Sequence, residues 1–328
     1  MRSTEILMTY RTHERILERL DREFTLHRLW DVPDRATFLR DVGPRIRGMA
    51  TSSSYGRTDT ALFDALPNLG IVSSFGVGYD HVDARAAAER GIIVTNTPDV
   101  LTEEVADLAI GLLLATLRQI PQADRFIRKG LWEAGGFPLS PSLRGRTVGI
   151  LGLGRIGRAI ARRLEGFGVP IHYHGRRSQA DLTYQYHSTP TALADAVDVL
   201  IVSTTGGAGT LRLVDATVLQ ALGPNGVLIN VARGSVVDEP ALIEALSAGA
   251  ILSAGLDVFD AEPRVPRRLL EMENIVLLPH IGSASVRTRD AMADLTVDNL
   301  VSWFSGKGPI TPVAETPWPG EARSRSPG

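Results

Sequence analysis

Four consecutive apolar residues, Val148 to Leu151, run without a break into Gly152-Leu153-Gly154-Arg155-Ile156-Gly157. Beyond that turn, apolar residues recur at Ile156, Ile160, Leu164 and Phe167, the spacing of one helix face. The segment therefore reads as strand, glycine turn and helix. In that setting the three glycines have separate uses: a tight turn, close approach of the backbone to a ligand, and close packing of helix on strand. Free amides and the positive end of the helix dipole converge on the turn, which suits a pyrophosphate held by Gly152, Gly154, Arg155, Ile156 and Gly157. A dinucleotide-binding α/β unit is what this feature demands. A glycine-rich turn without a ligand is the plainer alternative.

The residues that follow keep the same rhythm. Apolar runs at Val148–Leu151, Ile171–Tyr173, Val199–Val202, Val227–Asn230, Ile251–Leu256 and Ile275–Leu278 are separated by helical segments, the pattern of a doubly wound parallel sheet buried on both faces. Residues 1 to about 98 read as a second, smaller α/β unit. It has a strand at Ile6–Met8, an amphipathic helix over His13–Phe24, and apolar runs near Arg47–Ala50 and Ile71–Ser74. Thr102 followed by Glu103 and Glu104 marks a helix start, carried on by the apolar stretch Val105–Leu117. Another helical pattern covers Arg289–Phe304, and the closing PWPGEARSRSPG reads as a mobile tail. A length of 328 residues agrees with two domains.

The end of the second strand bears on which dinucleotide is held. A site for NAD places an Asp or Glu about 20 residues past the first glycine, on the ribose 2′-hydroxyl. Here Pro170–Ser178 contains no acid. Gly175 leaves room, and Arg176 and Arg177, with Ser178 beside them, suit a 2′-phosphate. NADP(H) is favoured and NAD(H) stays open; solvated loop arginines are the plainer reading.

Four polar residues fall just past later strands, where open α/β sheets bind ligands. They are Arg233 in NVARG, Asp257 in GLDVF, Glu262 in DAEP and His280 in LLPHIGS. Singly, each has an ordinary structural explanation. Together they suit hydride transfer to a 2-keto acid. His280 would donate a proton to the nascent alkoxide, with Glu262 fixing its orientation and favouring the imidazolium. Arg233 would clamp the carboxylate and polarise the carbonyl. Asp257 would face the nicotinamide.

Several long stretches resemble the D-isomer-specific 2-hydroxyacid dehydrogenases: SSFGVGYDHVD (73–83), NTPDVLTEEVADLAIGLLLA, GILGLGRIG, LINVARGSVVDEPAL, AGLDVFDAEP and LLPHIGSAS. The resemblance spans about residues 45 to 313. Within the family it is greatest to the NADPH-dependent glyoxylate, hydroxypyruvate and hydroxyphenylpyruvate reductases. It implies that Arg233, Glu262 and His280 are catalytic and that Asp257 lies on the nicotinamide side. By the same resemblance the amides of Val77 and Gly78 bind the substrate carboxylate with Arg233, and Val231 and Ala232 lie near the cofactor. In the loop Ser203–Thr210, which replaces a proline-containing loop of many relatives, only Thr204 is carried over as a cofactor contact. Thr51–Tyr55 departs from a more glycine-rich stretch in relatives and is expected to reshape the substrate pocket, with Leu101 near it.

The implied fold is two Rossmann-like domains. A dinucleotide-binding domain (99–285) is inserted into a discontinuous, flavodoxin-like substrate domain (1–98 and 286–328), with closure about a hinge. A homodimer through the cofactor domains is implied, with the helix from Glu103 to Leu117 in its interface.

Composition sets the outer limits. A net charge of −2 gives no electrostatic reason to expect nucleic acid or an anionic membrane. The absence of cysteine removes disulfides, thiolate nucleophiles and zinc–cysteine clusters and fits a reducing, cytoplasmic setting. No metal is expected. The run Ala109–Leu117 is too short to span a bilayer, so a soluble protein is expected. Two rivals stay open: an NAD-linked dehydrogenase for another substrate class, and a non-catalytic protein of this fold that senses dinucleotide.

Overall fold

The computed structural model describes residues 3–53 and 56–318. The chain divides into two units: residues through Leu101 together with those from Ser285 onward, and Thr102–Ala284.

In the first unit β1 (Glu5–Met8), α1 (Glu14–Glu23), β2 (Thr25–Arg28), α2 (Arg35–Val42), β3 (Ile46–Thr51), α3 (Thr60–Asp64), β4 (Ile71–Ser74), α4 (Ala84–Glu89) and β5 (Ile93–Thr95) alternate along the chain. The strands pair in parallel in the order β2-β1-β3-β4-β5, which is the flavodoxin order. Both faces of the sheet are covered, as the strand period of two requires. Ile6 and Met8 join a core with Ile16, Leu17 and Leu20 of α1. Leu7 between them joins the opposite core with Phe63 and Val72. Each such side chain, buried to the last few per cent, contributes about 1.5–3 kcal/mol.

The second unit opens with α5 (Thr102–Leu117) and α6 (Ile120–Arg128). It continues through β6 (Val148–Leu151), α7 (Arg155–Glu165), β7 (Ile171–His174), β8 (Gln185–His187), α8 (Pro190–Asp195), β9 (Val199–Val202) and α9 (Ala216–Leu222). It closes with β10 (Val227–Asn230), α10 (Glu239–Ser247), β11 (Ser253–Leu256), α11 (Arg267–Leu270) and β12 (Ile275–Leu277). Its seven strands are all parallel in the order β12-β11-β10-β9-β6-β7-β8, the dinucleotide-binding order extended by one strand. The helices start where side chains can cap them. Thr189, Asp215 and Asp238 each accept from the amide three residues on, at 3.0–3.1 Å, a contact worth about 1 kcal/mol.

The chain then returns to the first unit as α12 (Val286–Phe304), capped by Ser285 and packed on α1, β3 and β4.

One expectation needs correction. Phe167 does not belong to the buried face of α7: the helix ends at Glu165, Gly168 turns at φ +66°, and Phe167 is 45 % exposed. The apolar side of α5 is used inside its own unit, against α7, β10 and β11. A Cβ on Gly255 would meet Thr116 Oγ1 at 2.4 Å, so helix and strand are already in contact. The exposed apolar side chains lie further on, at Ile120, Ile127, Leu131 and Trp132. No helix among the described residues is long and apolar enough to cross a membrane. Ser54 and Tyr55, which end the Thr51–Tyr55 segment, and 319–328 of the closing segment lie outside the described residues.

Candidate active site

The glycine turn sits between β6 and β9, the two strands where the order of the second sheet reverses, which is the point where such sheets bind ligands. Gly152 has φ +101°, and a Cβ there would lie 2.6 Å from the backbone of Thr204, at the end of β9. A Cβ on Gly157 would lie 2.3 Å from the carbonyl oxygen of Gly152. Neither position admits a side chain. Around Gly154, the N-cap of α7, a Cβ would meet nothing within 4 Å. This open space lies in front of the amides of Arg155, Ile156 and Gly157, the first-turn donors that a helix cannot satisfy itself. The turn thus fits a pyrophosphate.

Beyond β7 the chain makes a short arch. Around Gly175 a Cβ would touch nothing nearer than 4.0 Å, and Arg176, Arg177 and Ser178 are exposed. The arch is pinned just behind them. The Gln179 amide donates to Tyr173 Oη at 2.8 Å and its side chain to Leu153 O at 3.0 Å. Arg158 of α7 holds both Gln179 and Asp181, the latter at 2.7 Å. Two guanidinium groups are presented on a braced loop, and residues 170–180 include no Asp or Glu.

Past β10, β11 and β12 lie the remaining polar residues. His280 Nδ1 donates to Glu262 Oε2 at 2.7 Å, and the Phe259 amide donates to Glu262 Oε1 at 3.0 Å. Burial pushes the Glu262 carboxyl up. The hydrogen bonds from His280 and Phe259 outweigh it, helped by the charges of His280 and Arg233, and leave the group below its ordinary range. Glu262 is then an acceptor only, so the proton of this bond resides on Nδ1. His280 Nε2 has no partner among the described residues and the ring is partly exposed.

Asp257, at 1 % exposure, accepts from Ile281 N at 2.7 Å and Gly282 N at 2.8 Å, while its carbonyl accepts from His280 N at 2.9 Å. Burial pushes its carboxyl above the ordinary range against the pull of those amides. The residue fixes the loop that carries His280, whose φ of +53° is uncommon for a side-chain-bearing residue and persists where its surroundings over-determine it.

One comparison decides the family. A family model described as "D-isomer specific 2-hydroxyacid dehydrogenase, NAD binding domain" matches residues 110–282. The chain belongs to this family. A glyoxylate/hydroxypyruvate reductase A of Arabidopsis thaliana is 48 % identical over 95 % of this chain and 100 % of its own length. A hydroxyphenylpyruvate reductase of Plectranthus scutellarioides is 47 % identical over 95 % of this chain and all of its own. Among solved structures, an NADPH-dependent glyoxylate/hydroxypyruvate reductase of Sinorhizobium meliloti in complex with NADP and malonate is 57 % identical. It covers 96 % of this chain and 98 % of its own, with a TM-score of 0.92.

The dehydrogenase uses residues that sequence reasoning passed over. Asn230, 1 % exposed at the end of β10, accepts from Ala232 N and donates to Arg233 O, both at 3.1 Å. It thereby shapes the turn Val231–Arg233. Val231 and Ala232 are themselves buried. Gly234 lies so close to the next strand's loop that a Cβ would stand 1.9 Å from Phe259 C. The only signal for either is their place beside Arg233 in NVARG, where a glycine or a buried amide has no pattern of its own. Val77 and Gly78 lie past β4 in the first unit, partly buried.

Proposed function

We propose that this dehydrogenase reduces a small 2-keto acid, such as glyoxylate, hydroxypyruvate or an aryl pyruvate, to the D-2-hydroxy acid with NADPH. The observation that carries the reading is the His280–Glu262 pair, with Nδ1 committed to a carboxylate at 2.7 Å and Nε2 left for a substrate. When bound, the nicotinamide supplies the hydride. The residues of the chain do the rest. Glu262 stabilises the imidazolium and fixes the ring so that Nε2–H delivers its proton to the oxygen that becomes the alcohol. The guanidinium of Arg233 stabilises charge on that oxygen and holds the substrate carboxylate. The amides of Val77 and Gly78 of the first unit are read, from the family resemblance, as donors to a substrate carboxylate. The first unit would therefore be the substrate domain and the second the cofactor domain.

The amides of Arg155, Ile156 and Gly157 would hold the pyrophosphate. Arg176 and Arg177, with Ser178, would hold the 2′-phosphate. Thr204, Val231 and Ala232 would approach the cofactor through the ends of β9 and β10, and Asp257 would stay on the nicotinamide side by fixing the loop there. A homodimer through the second unit belongs to the same reading, supported by the exposed Ile120, Ile127, Leu131 and Trp132 on α6 and the segment after it. A cytoplasmic location fits a chain without cysteine.

The 2′-phosphate assignment is tested by Arg176→Asp. A charge-assisted hydrogen bond contributes about 1.5–3 kcal/mol, so kcat/KM for NADPH should fall by roughly 10²-fold, with NADH nearly unaffected. Equal losses with both cofactors would remove the arch from the phosphate site.

A further inference from the structure

The geometry points to Asn96 as the positioning residue that aims the amides of Val77 and Gly78. The inference rests on the proposed reading of those amides as donors to the substrate carboxylate. Neither amide has an acceptor among the described residues, whereas the carbonyls beside them are both tied down. Asn96 Nδ2 donates to Val77 O at 2.8 Å, and Thr97 N donates to Gly76 O at 2.9 Å.

A trans peptide is planar, with its C=O and N–H pointing in opposite directions. Drawing the Gly76 carbonyl toward residues 96–97 therefore turns the Val77 N–H away from them. Drawing the Val77 carbonyl the same way turns the Gly78 N–H away as well. Two consecutive amides end up facing the side opposite β5. Gly76, at φ +152°, supplies the backbone conformation that lets both carbonyls face one way.

Asn96 is itself held from behind. Its amide donates to Thr311 O at 3.3 Å, and Thr311 Oγ1 donates to Asn96 O at 2.6 Å. Thr311 is fixed in turn by Asn299 of α12, which is 0 % exposed. Asn299 Nδ2 donates to Thr311 Oγ1 at 2.9 Å, and its Oδ1 accepts from the amides of Ile310 and Thr311 at 2.9 and 3.0 Å. The path runs from a buried helix side chain, through the backbone after α12, to one amide group that touches the loop. Thr97 contributes a main-chain donor that survives substitution, so the Asn96 side chain is the part of the device that mutation can remove.

The test uses the full chain with Asn96→Asp and Asn96→Leu, hydroxypyruvate and NADPH. Asp keeps the size and the main-chain bonds to Thr311 but sets an acceptor against the Val77 carbonyl; Leu removes the donor alone. Losing a hydrogen bond that serves a charged group corresponds to about a 10- to 100-fold rise in the KM for hydroxypyruvate. The expected kcat stays within a few-fold of the parent, and the NADPH dissociation constant and melting temperature do not move. A merely structural asparagine would lower the melting temperature and leave the KM of the remaining folded enzyme unchanged, which would overturn the positioning role. A parent inactive on every 2-keto acid overturns the reading of Val77 and Gly78 and the positioning role with it. An active parent whose Asn96→Asp variant keeps the parental KM overturns the positioning role alone.

Discussion

Changing His280 to Gln is expected to lower kcat by about 10²- to 10⁴-fold, the range that a positioned general acid contributes, with the NADPH dissociation constant unchanged. Glutamine reaches about as far as imidazole and can still hydrogen-bond Glu262, but it has no proton to give at neutral pH. The backbone that presents the side chain should survive the change. The His280 amide is held by Asp257 O, and the next two amides by the Asp257 carboxylate, so the left-handed conformation at this position does not depend on the imidazole. Steady-state kinetics with saturating NADPH and a fluorescence titration of the cofactor read the two quantities separately. Parental turnover would put the proton donor elsewhere, and a matched loss of cofactor affinity would assign the histidine to binding.

Gly234→Ala should damage stability and catalysis together, for a reason unrelated to chemistry at residue 234. Its Cβ would stand 1.9 Å from Phe259 C, 2.1 Å from Phe259 O and 2.3 Å from Asp260 N. All three are backbone atoms, which cannot step aside as the end of a side chain can. Overpacking of this kind costs typically 1–3 kcal/mol, and about 3 kcal/mol is expected here. The strand of chain that must move is the one whose Phe259 amide holds Glu262, and the residue before Gly234 is Arg233. A displacement of about 1 Å at reacting groups can cost 10²-fold, so kcat/KM should fall by at least that much in the protein that remains folded. Denaturant titration and kinetics on the same preparation check both halves. A methyl group tolerated without loss would mean that the Arg233 and Glu262 segments are not in contact.

The core of the second unit was legible because physics leaves such strands few choices. A parallel strand covered on both faces must be apolar throughout, and β6, β9 and β10 appear in the sequence as unbroken runs with their observed ends. Three strands at sheet edges left no such trace. β2, β5 and β8 are three or four residues long and include His27, Arg28, Thr95, Gln185 and His187. Edge strands are kept short and polar because an exposed apolar edge invites pairing with other chains. At the candidate site, His280, Glu262 and Arg233 were visible because their chemistry is rare in combination. Asn230, Gly234, Gln179 and Asn96 were not, since each acts by holding a backbone segment that is distant or unremarkable in sequence. The inward side of α5 was not legible for a comparable reason: Thr116 and Leu112 pack against Gly255, a partner that helical periodicity cannot reveal.

Mixing the intact protein with NADPH and hydroxypyruvate, and resolving the product by chiral chromatography, tests the central claim most directly. With His280 as proton donor beside Glu262 in a chain of the D-isomer-specific family, one NADPH is expected to be oxidised for each D-glycerate formed. No oxidation with hydroxypyruvate, glyoxylate or phenylpyruvate, or formation of the L-isomer, would contradict it.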